Sequence, residues 1–178
     1  VVRQYVKGLE VVLPTGEIVT WGGKLLKNNT GLDLLQLMID SEGVLGVITK
    51  VTFRLYPRFA GTATLIISFD DRHAAIKAVP VILQTGVIPL ALEYVDRDVI
   101  QISAEHLGKE WPAKKGTAHL IAIITGSGDE DVYEQAGTVL KACEKLGVVD
   151  TVVAETREEQ ADILQIRSEL YPVLQPRV

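Results

Sequence analysis

Cysteine is nearly missing from this chain of 178 residues: Cys143 stands alone. A single thiol excludes an internal disulfide and any zinc or iron–sulfur centre built from clustered cysteines, and it suits a reducing, cytoplasmic compartment. The three histidines, His73, His106 and His119, never fall at the His-x-x-x-His spacing that would bring two imidazoles onto one helical face. No metal site is expected from them, and they read as surface or cap positions. A basic excess is also lacking. With 18 Lys/Arg against 23 Asp/Glu the formal charge is −5, which argues against a nucleic-acid surface. No apolar run approaches the roughly 18 residues of a membrane span. The opening VVRQYVKGLEVVL lacks the basic end, apolar centre and small-residue site of a cleavable signal, so the chain reads as soluble.

Hydrophobic content, by contrast, is ample. At 47% apolar with a mean hydropathy of +0.22, the chain has the material for a packed core. Charge is unevenly spread: residues 1–58 carry seven Lys/Arg and five Asp/Glu (7 − 5 = +2), leaving eleven and eighteen (11 − 18 = −7) for residues 59–178. The sign changes at PRFAG, residues 57–61, the expected domain boundary. The chain opens inside an apolar strand pattern with no initiating methionine and ends at YPVLQPRV just past a helical one, a layout expected of a piece of a longer protein.

Periodicity predicts the elements. Alternation around Leu9, Val11 and Leu13, the PTGE turn and IVTW form a β-hairpin. The polar stretch GGKLLKNNTG (22–31), a short helix at DLLQLMI (33–39), a turn at SEG and a strand follow. In that strand Val47, Thr49, Val51, Phe53 and Leu55 should face a core, with Lys50, Thr52 and Arg54 on the wetter side. Beyond residue 58, strands at 62–69, 89–95, 119–125 and 148–155 alternate with helices at 71–86, interrupted by Pro80, at 96–108 and at 129–147. A last helix follows the TREE capping box from Thr156 to Glu159. This pattern predicts a ferredoxin-like α+β sheet with helices on one face.

Two places invite chemistry. In DSEGVLGVIT (40–49), glycines three residues apart lie between helix and strand. They either shape a tight turn or leave bare backbone for a flat ligand or its phosphates. On the last helix, Arg167 shares a face with Ile163, Leu164 and Leu170. A guanidinium turned inward needs a partner, either a ligand carboxylate or an internal carboxylate such as Glu93. Glu93 and Asp96 otherwise read as solvated strand-end carboxylates. Cys143 continues the stripe Val132, Ala136, Val139 and reads as core, and GSGDE (126–130) as a loop with helix N-terminal charge.

Three motifs carry a family resemblance: LEVVLPTG, KNNTGLDL and SEGVLGVIT. They resemble the LEVVLPDG hairpin, KNxxGYDL segment and SEGTLGVIT loop of FAD-linked oxidases of the vanillyl-alcohol oxidase/para-cresol methylhydroxylase (PCMH) type. The branch they resemble most holds the glycolate oxidase FAD subunit and D-lactate dehydrogenase. Departures are Thr15 for Asp, Leu32 for Tyr and Val44 for Thr. PLALEYVDRDVI is similar to the family's PxALExMDR segment, and EEQADILQIRSELYPVL to its ExxxLWxIRxxxxxAL helix without the tryptophan.

The resemblance implies that residues 1–58 are the C-terminal part of a PCMH-type FAD-binding domain and residues 59–178 a ferredoxin-like α+β cap, or substrate, domain. It implies FAD contacts at Glu42, Gly43, Val44, Leu45, Gly46, Val47 and Ile48, and a substrate carboxylate held by Arg167. The reaction implied is oxidation of a 2-hydroxy acid such as glycolate or D-lactate by hydride transfer to flavin, with other oxidase subunits or a second copy as partners. The family's glycine-rich pyrophosphate loop would precede Val1, and its histidine segment, source of the base, would follow Val178. The isolated piece should therefore bind FAD poorly and turn over nothing. Two alternatives stand beside this reading: a ferredoxin-like binding or dimerisation module with no catalytic share, and a sibling FAD enzyme such as an alkyl-ether lipid synthase.

Overall fold

The computed structural model describes residues 2–25 and 27–175. Leu26, within the glycine-rich stretch, and the end of YPVLQPRV lie outside the described residues. The chain divides into two compact units, Val1–Arg58 and Phe59–Val178.

In the first unit, β1 (Val6–Val12) and β2 (Ile18–Gly22) form the hairpin, helix α1 (Leu34–Met38) follows, and β3 (Val47–Phe53) completes a three-stranded antiparallel sheet in the order β2-β1-β3. Leu9 and Val11 point to one face, where Leu35 and Met38 of α1 cover them. The expected alternation of β3 is broken. Glu10 pairs with Lys50 and the next residue, Val11, with Ile48, so Thr49 is an extra residue in the ladder. Such a bulge moves every later side chain to the other face. Val51 and Ile48, opposite Leu9 and Val11, therefore share the core side, while Val47, opposite Val12, does not. Glu10 holds the bulge in place: its carboxylate accepts from Thr49 Oγ1 and Lys50 Nζ, both at 2.8 Å, and these bonds hold its pKa below the ordinary value. Nor is β3 half-buried as the pattern implied, since Val47 is 63% and Phe53 51% exposed.

The second unit is built as strand β4 (Gly61–Phe69), helix α2 (Arg72–Gln84), β5 (Ala91–Asp96), α3 (Arg97–His106), β6 (Ala118–Gly126), α4 (Asp129–Cys143), β7 (Val148–Ala154), α5 (Arg157–Ser168) and α6 (Leu170–Leu174). The sheet order β5-β6-β4-β7, antiparallel throughout, is the ferredoxin-like arrangement. Central strand β4 is buried almost without a break, as a strand covered on both faces must be. Leu65, Ile67 and Phe69 pack with Leu120, Ala122 and Ile124 of β6 under α2 and α4. Ile66 and Ile121 point the opposite way and pack under α3 and α5 with Val95, Ile100, Ala104, Ile163 and Ile166. The expected single helical face is thus corrected: α3, inserted between β5 and β6, and α5, appended after β7, supply a second layer because both faces of β4 are apolar. Pro80 does not interrupt α2 either. It lies on the exposed side of the helix, as does Ile76, whose carbonyl its missing N–H leaves without that bond.

Candidate functional site

The loop at residues 40–46 joins α1 to β3. Asp40 and Glu42 adopt positive φ (68° and 49°), as does Gly43 (81°), and the Val44 N–H closes the turn on the Ser41 carbonyl at 2.9 Å. The two glycines differ in kind. At Gly46 an added Cβ would meet Val11 Cγ1 and the Val12 carbonyl oxygen, each at 2.8 Å, so this glycine is needed for close contact with β1. At Gly43 nothing lies within 4 Å of that position. Glu42, Gly43, Val44, Leu45, Val47 and Ile48 are exposed and Gly46 is buried, so the predicted contacts form an apolar, open ledge whose rear is locked to the sheet. Such a ledge fits the flat face of a flavin: its backbone is bare at Gly43, and Val44 (79% exposed) and Leu45 add apolar surface. A separate cleft of about 300 Å³ runs beside the KNNTGLDL segment, lined among others by Trp21, Gly23, Asn28, Thr30 and Asp33.

Arg167 lies near the end of α5. The buried positions of this helix are Gln160, Ile163 and Ile166, and Leu164 faces out, so the apolar face runs differently from the one predicted and Arg167 sits at its margin. Glu93 holds it in a fork: Nε donates to Oε2, and Nη2 donates to Oε1 at 2.7 Å. Glu93 is therefore no solvated strand-end carboxylate. Opposite Ile121 in the ladder, it lies on the sheet face that α3 and α5 cover. The internal partner considered for Arg167 is present, and the Arg167 side chain remains 46% exposed.

The base of α5 is built as its sequence directs. Thr156 Oγ1 accepts from the Glu159 N–H and the Glu159 carboxylate accepts from the Thr156 N–H, completing the capping box and lowering the Glu159 pKa. Four hydrogen bonds that sequence reasoning missed hold the helix further along. Gln160 donates to the Thr62 carbonyl (2.8 Å), Ser103 Oγ to the Ile166 carbonyl (2.5 Å), and Lys109 Nζ to Asp162 (2.5 Å) and Gln165 (2.6 Å). Each spans more than fifty residues of chain, so no local pattern announces it.

His119 is not a surface residue. It is fully buried, its Nδ1 lies 2.9 Å from Ser68 Oγ, and Trp111 stands beside it with ring centroids 5.9 Å apart. Burial, aided by the Arg97 charge, pushes its pKa down to about 4, which keeps the imidazole neutral. His73 and His106 are exposed. Asp96 accepts the Tyr94 hydroxyl at 2.6 Å, and partial burial with that carboxylate raises the Tyr94 pKa to about 12. Cys143 is buried core, and burial raises its thiol pKa. Asp131 binds the Ser127 N–H and Oγ and Gln135 at the start of α4, as a helix N-terminal acid would. Among the described residues no cluster of His, Cys, Asp and Glu could hold a metal, and no helix is long and apolar enough to cross a membrane.

One unit is a ferredoxin-like α+β sheet with a second helical layer, and the other bears an open glycine ledge. Residues 60–178 match the family described as FAD linked oxidases, C-terminal domain, and the chain belongs to that family. The D-lactate dehydrogenase of Archaeoglobus fulgidus is 34% identical over 176 residues, 99% of this chain and 38% of that protein. The glycolate oxidase subunit GlcD of Bacillus subtilis is 32% identical over 168 residues, 94% of this chain and 35% of that one. The chain thus spans less than two fifths of the length of these relatives. The crystal structure of p-cresol methylhydroxylase with substrate bound shares the fold at a TM-score of 0.66 and 19% identity, over 94% of this chain and 40% of that one. The family's cofactor is FAD.

Proposed function

We propose that this chain serves the FAD-dependent oxidation of a 2-hydroxy acid such as glycolate or D-lactate. Residues 1–58 act as the C-terminal part of the FAD-binding domain and residues 59–178 as the substrate, or cap, domain. The observation that carries the reading is Arg167, a guanidinium fixed at one edge and open at the other. It supplies the charge and paired donors that a small carboxylate needs. The names of the D-lactate dehydrogenase and glycolate oxidase relatives support the substrate class.

In this reading the backbone of Glu42, Gly43, Val44, Leu45, Gly46, Val47 and Ile48 lies along the flavin, with Gly43 allowing the approach and Gly46 anchoring the ledge. Arg167 binds and orients the substrate carboxylate, which sets the direction of the α-carbon. FAD, when bound, supplies the acceptor for the hydride of that carbon. Nothing in this chain is assigned as base: His119 is buried and neutral, and the resemblance puts the proton acceptor beyond Val178. Other oxidase subunits or a second copy are the proposed partners.

The test is made on the full-length protein. It should purify with flavin absorbance, and Arg167→Ala should lower kcat/KM for D-lactate or glycolate by about 10²–10³, most of it in KM, with flavin content unchanged. An undiminished kcat/KM would favour the second reading, in which the Arg167–Glu93 fork is only an internal salt bridge and the second unit a ferredoxin-like binding module without catalytic share.

A further inference from the structure

We propose that Glu93 is the positioning residue for Arg167: by occupying the Nε–Nη2 edge of the guanidinium it dedicates the Nη1–Nη2 edge to the substrate carboxylate. This rests on the reading of Arg167 given above and adds a residue and a geometry to it.

A guanidinium is planar and offers a carboxylate two edges, one side-on through Nε and Nη2 and one end-on through Nη1 and Nη2. Glu93 takes the first with both oxygens. Among the described residues Nη1 has no acceptor, so the second edge is left whole. Both ends of the fork are on rigid supports. Glu93 is inside β5, paired to β6 at Ile121 and flanked by Leu92 and Val95, which are packed in the two cores. Arg167 follows directly on Ile166, whose carbonyl is held by Ser103 Oγ at 2.5 Å, and α5 is further tied through Lys109 to Asp162 and Gln165 and through Gln160 to Thr62.

A long arginine side chain loses its many rotamers only when its tip is held as well as its root, and Glu93 holds the tip. An arginine without Glu93 would offer either edge to an incoming acid, with two orientations of its α-carbon. With Glu93 in place one remains.

The full-length, FAD-loaded protein tests this with propanoate as probe, the three-carbon acid that lacks the hydroxyl to be oxidised, by titration calorimetry. Arg167→Ala should abolish propanoate binding. Glu93→Gln, which keeps the size but not the charge, should weaken it about tenfold at unchanged Tm and flavin content. Propanoate binding to Glu93→Gln as tight as wild type, or tighter, would overturn the proposal by making Glu93 a bystander or a competitor; the function assigned to Arg167 would survive. Wild-type binding by Arg167→Ala would instead remove that function and this inference with it. Arg167→Lys supplies an independent check: it keeps the charge without edges, so it should bind propanoate as poorly as Arg167→Ala. Affinity within about threefold of wild type would show that a point charge suffices and would refute the edge assignment.

Discussion

At the scale of single residues, Gly43 and Gly46 show how one motif carries two requirements. Gly46 is bare because β1 leaves no room: a methyl there would sit 2.8 Å from a backbone oxygen that cannot move aside cheaply. Gly43 is bare with open space around it and a φ of 81°, so only backbone strain opposes a side chain. Gly46→Ala should therefore destabilise the first unit by about 1–3 kcal/mol through overpacking and strain. Gly43→Ala should cost about 1–2 kcal/mol, the left-handed penalty alone. Hydrogen exchange of the β1 and β3 amides, which reads this unit separately, should show the larger loss of protection in Gly46→Ala. In the full-length protein the order should reverse for flavin retention, because the new methyl at Gly43 would stand on the open side.

At the scale of elements, rows across the sheet matter more than any one strand. Val95, His119, Ser68 and Asp150 are neighbours on β5, β6, β4 and β7, and that row buries an imidazole against Trp111. A histidine whose pKa is depressed from 6.5 to about 4 on folding binds fewer protons than its unfolded counterpart between those values. Its contribution is whole above pH 6.5 and is lost as pH falls through 4, on the order of 3 kcal/mol over the window. Urea unfolding at pH 7, 6, 5 and 4 should show this decline. His119→Asn, which retains a group for Ser68, should flatten the difference in that window. The same row explains why His119 looked like a surface residue in sequence: a histidine in an apolar strand declares neither its tautomer nor its partner, and Ser68 lies fifty-one residues away.

At the scale of the whole molecule, the two units are unequal. The second has a helix-covered core on each face of its sheet, while the first buries, among its described residues, only Val6, Leu9, Val11, Leu35 and Met38 as apolar core. So small a core rarely supports a stable domain of this length. Residues 59–178 produced alone should unfold cooperatively, with a Tm within a few degrees of that unit's transition in the whole chain. Residues 1–58 alone should show no cooperative transition. Circular dichroism melts of the two fragments check both, and a sharp melt of the smaller one would refute the argument from core size.

Local order was legible in the amino acids themselves. The hairpin, the strand–helix alternation, the Thr156–Glu159 capping box and the buried stripe ending at Cys143 all follow from period, turn residues and caps, which act within a few positions of the chain. The motifs LEVVLPTG, KNNTGLDL and SEGVLGVIT likewise point to the FAD-linked oxidase family from sequence alone, and Arg167 stands out on its helix. The rest was decided by contacts between residues far apart in sequence. The bulge opposite Glu10 reversed the faces of β3, and the second helical layer followed from both faces of β4 being apolar. The fork between Glu93 and Arg167 joins residues seventy-four positions apart, and no periodicity along the chain could report which edge of the guanidinium it would leave open. Periodicity is a property of neighbours, whereas partner, face and free edge are properties of the packed fold.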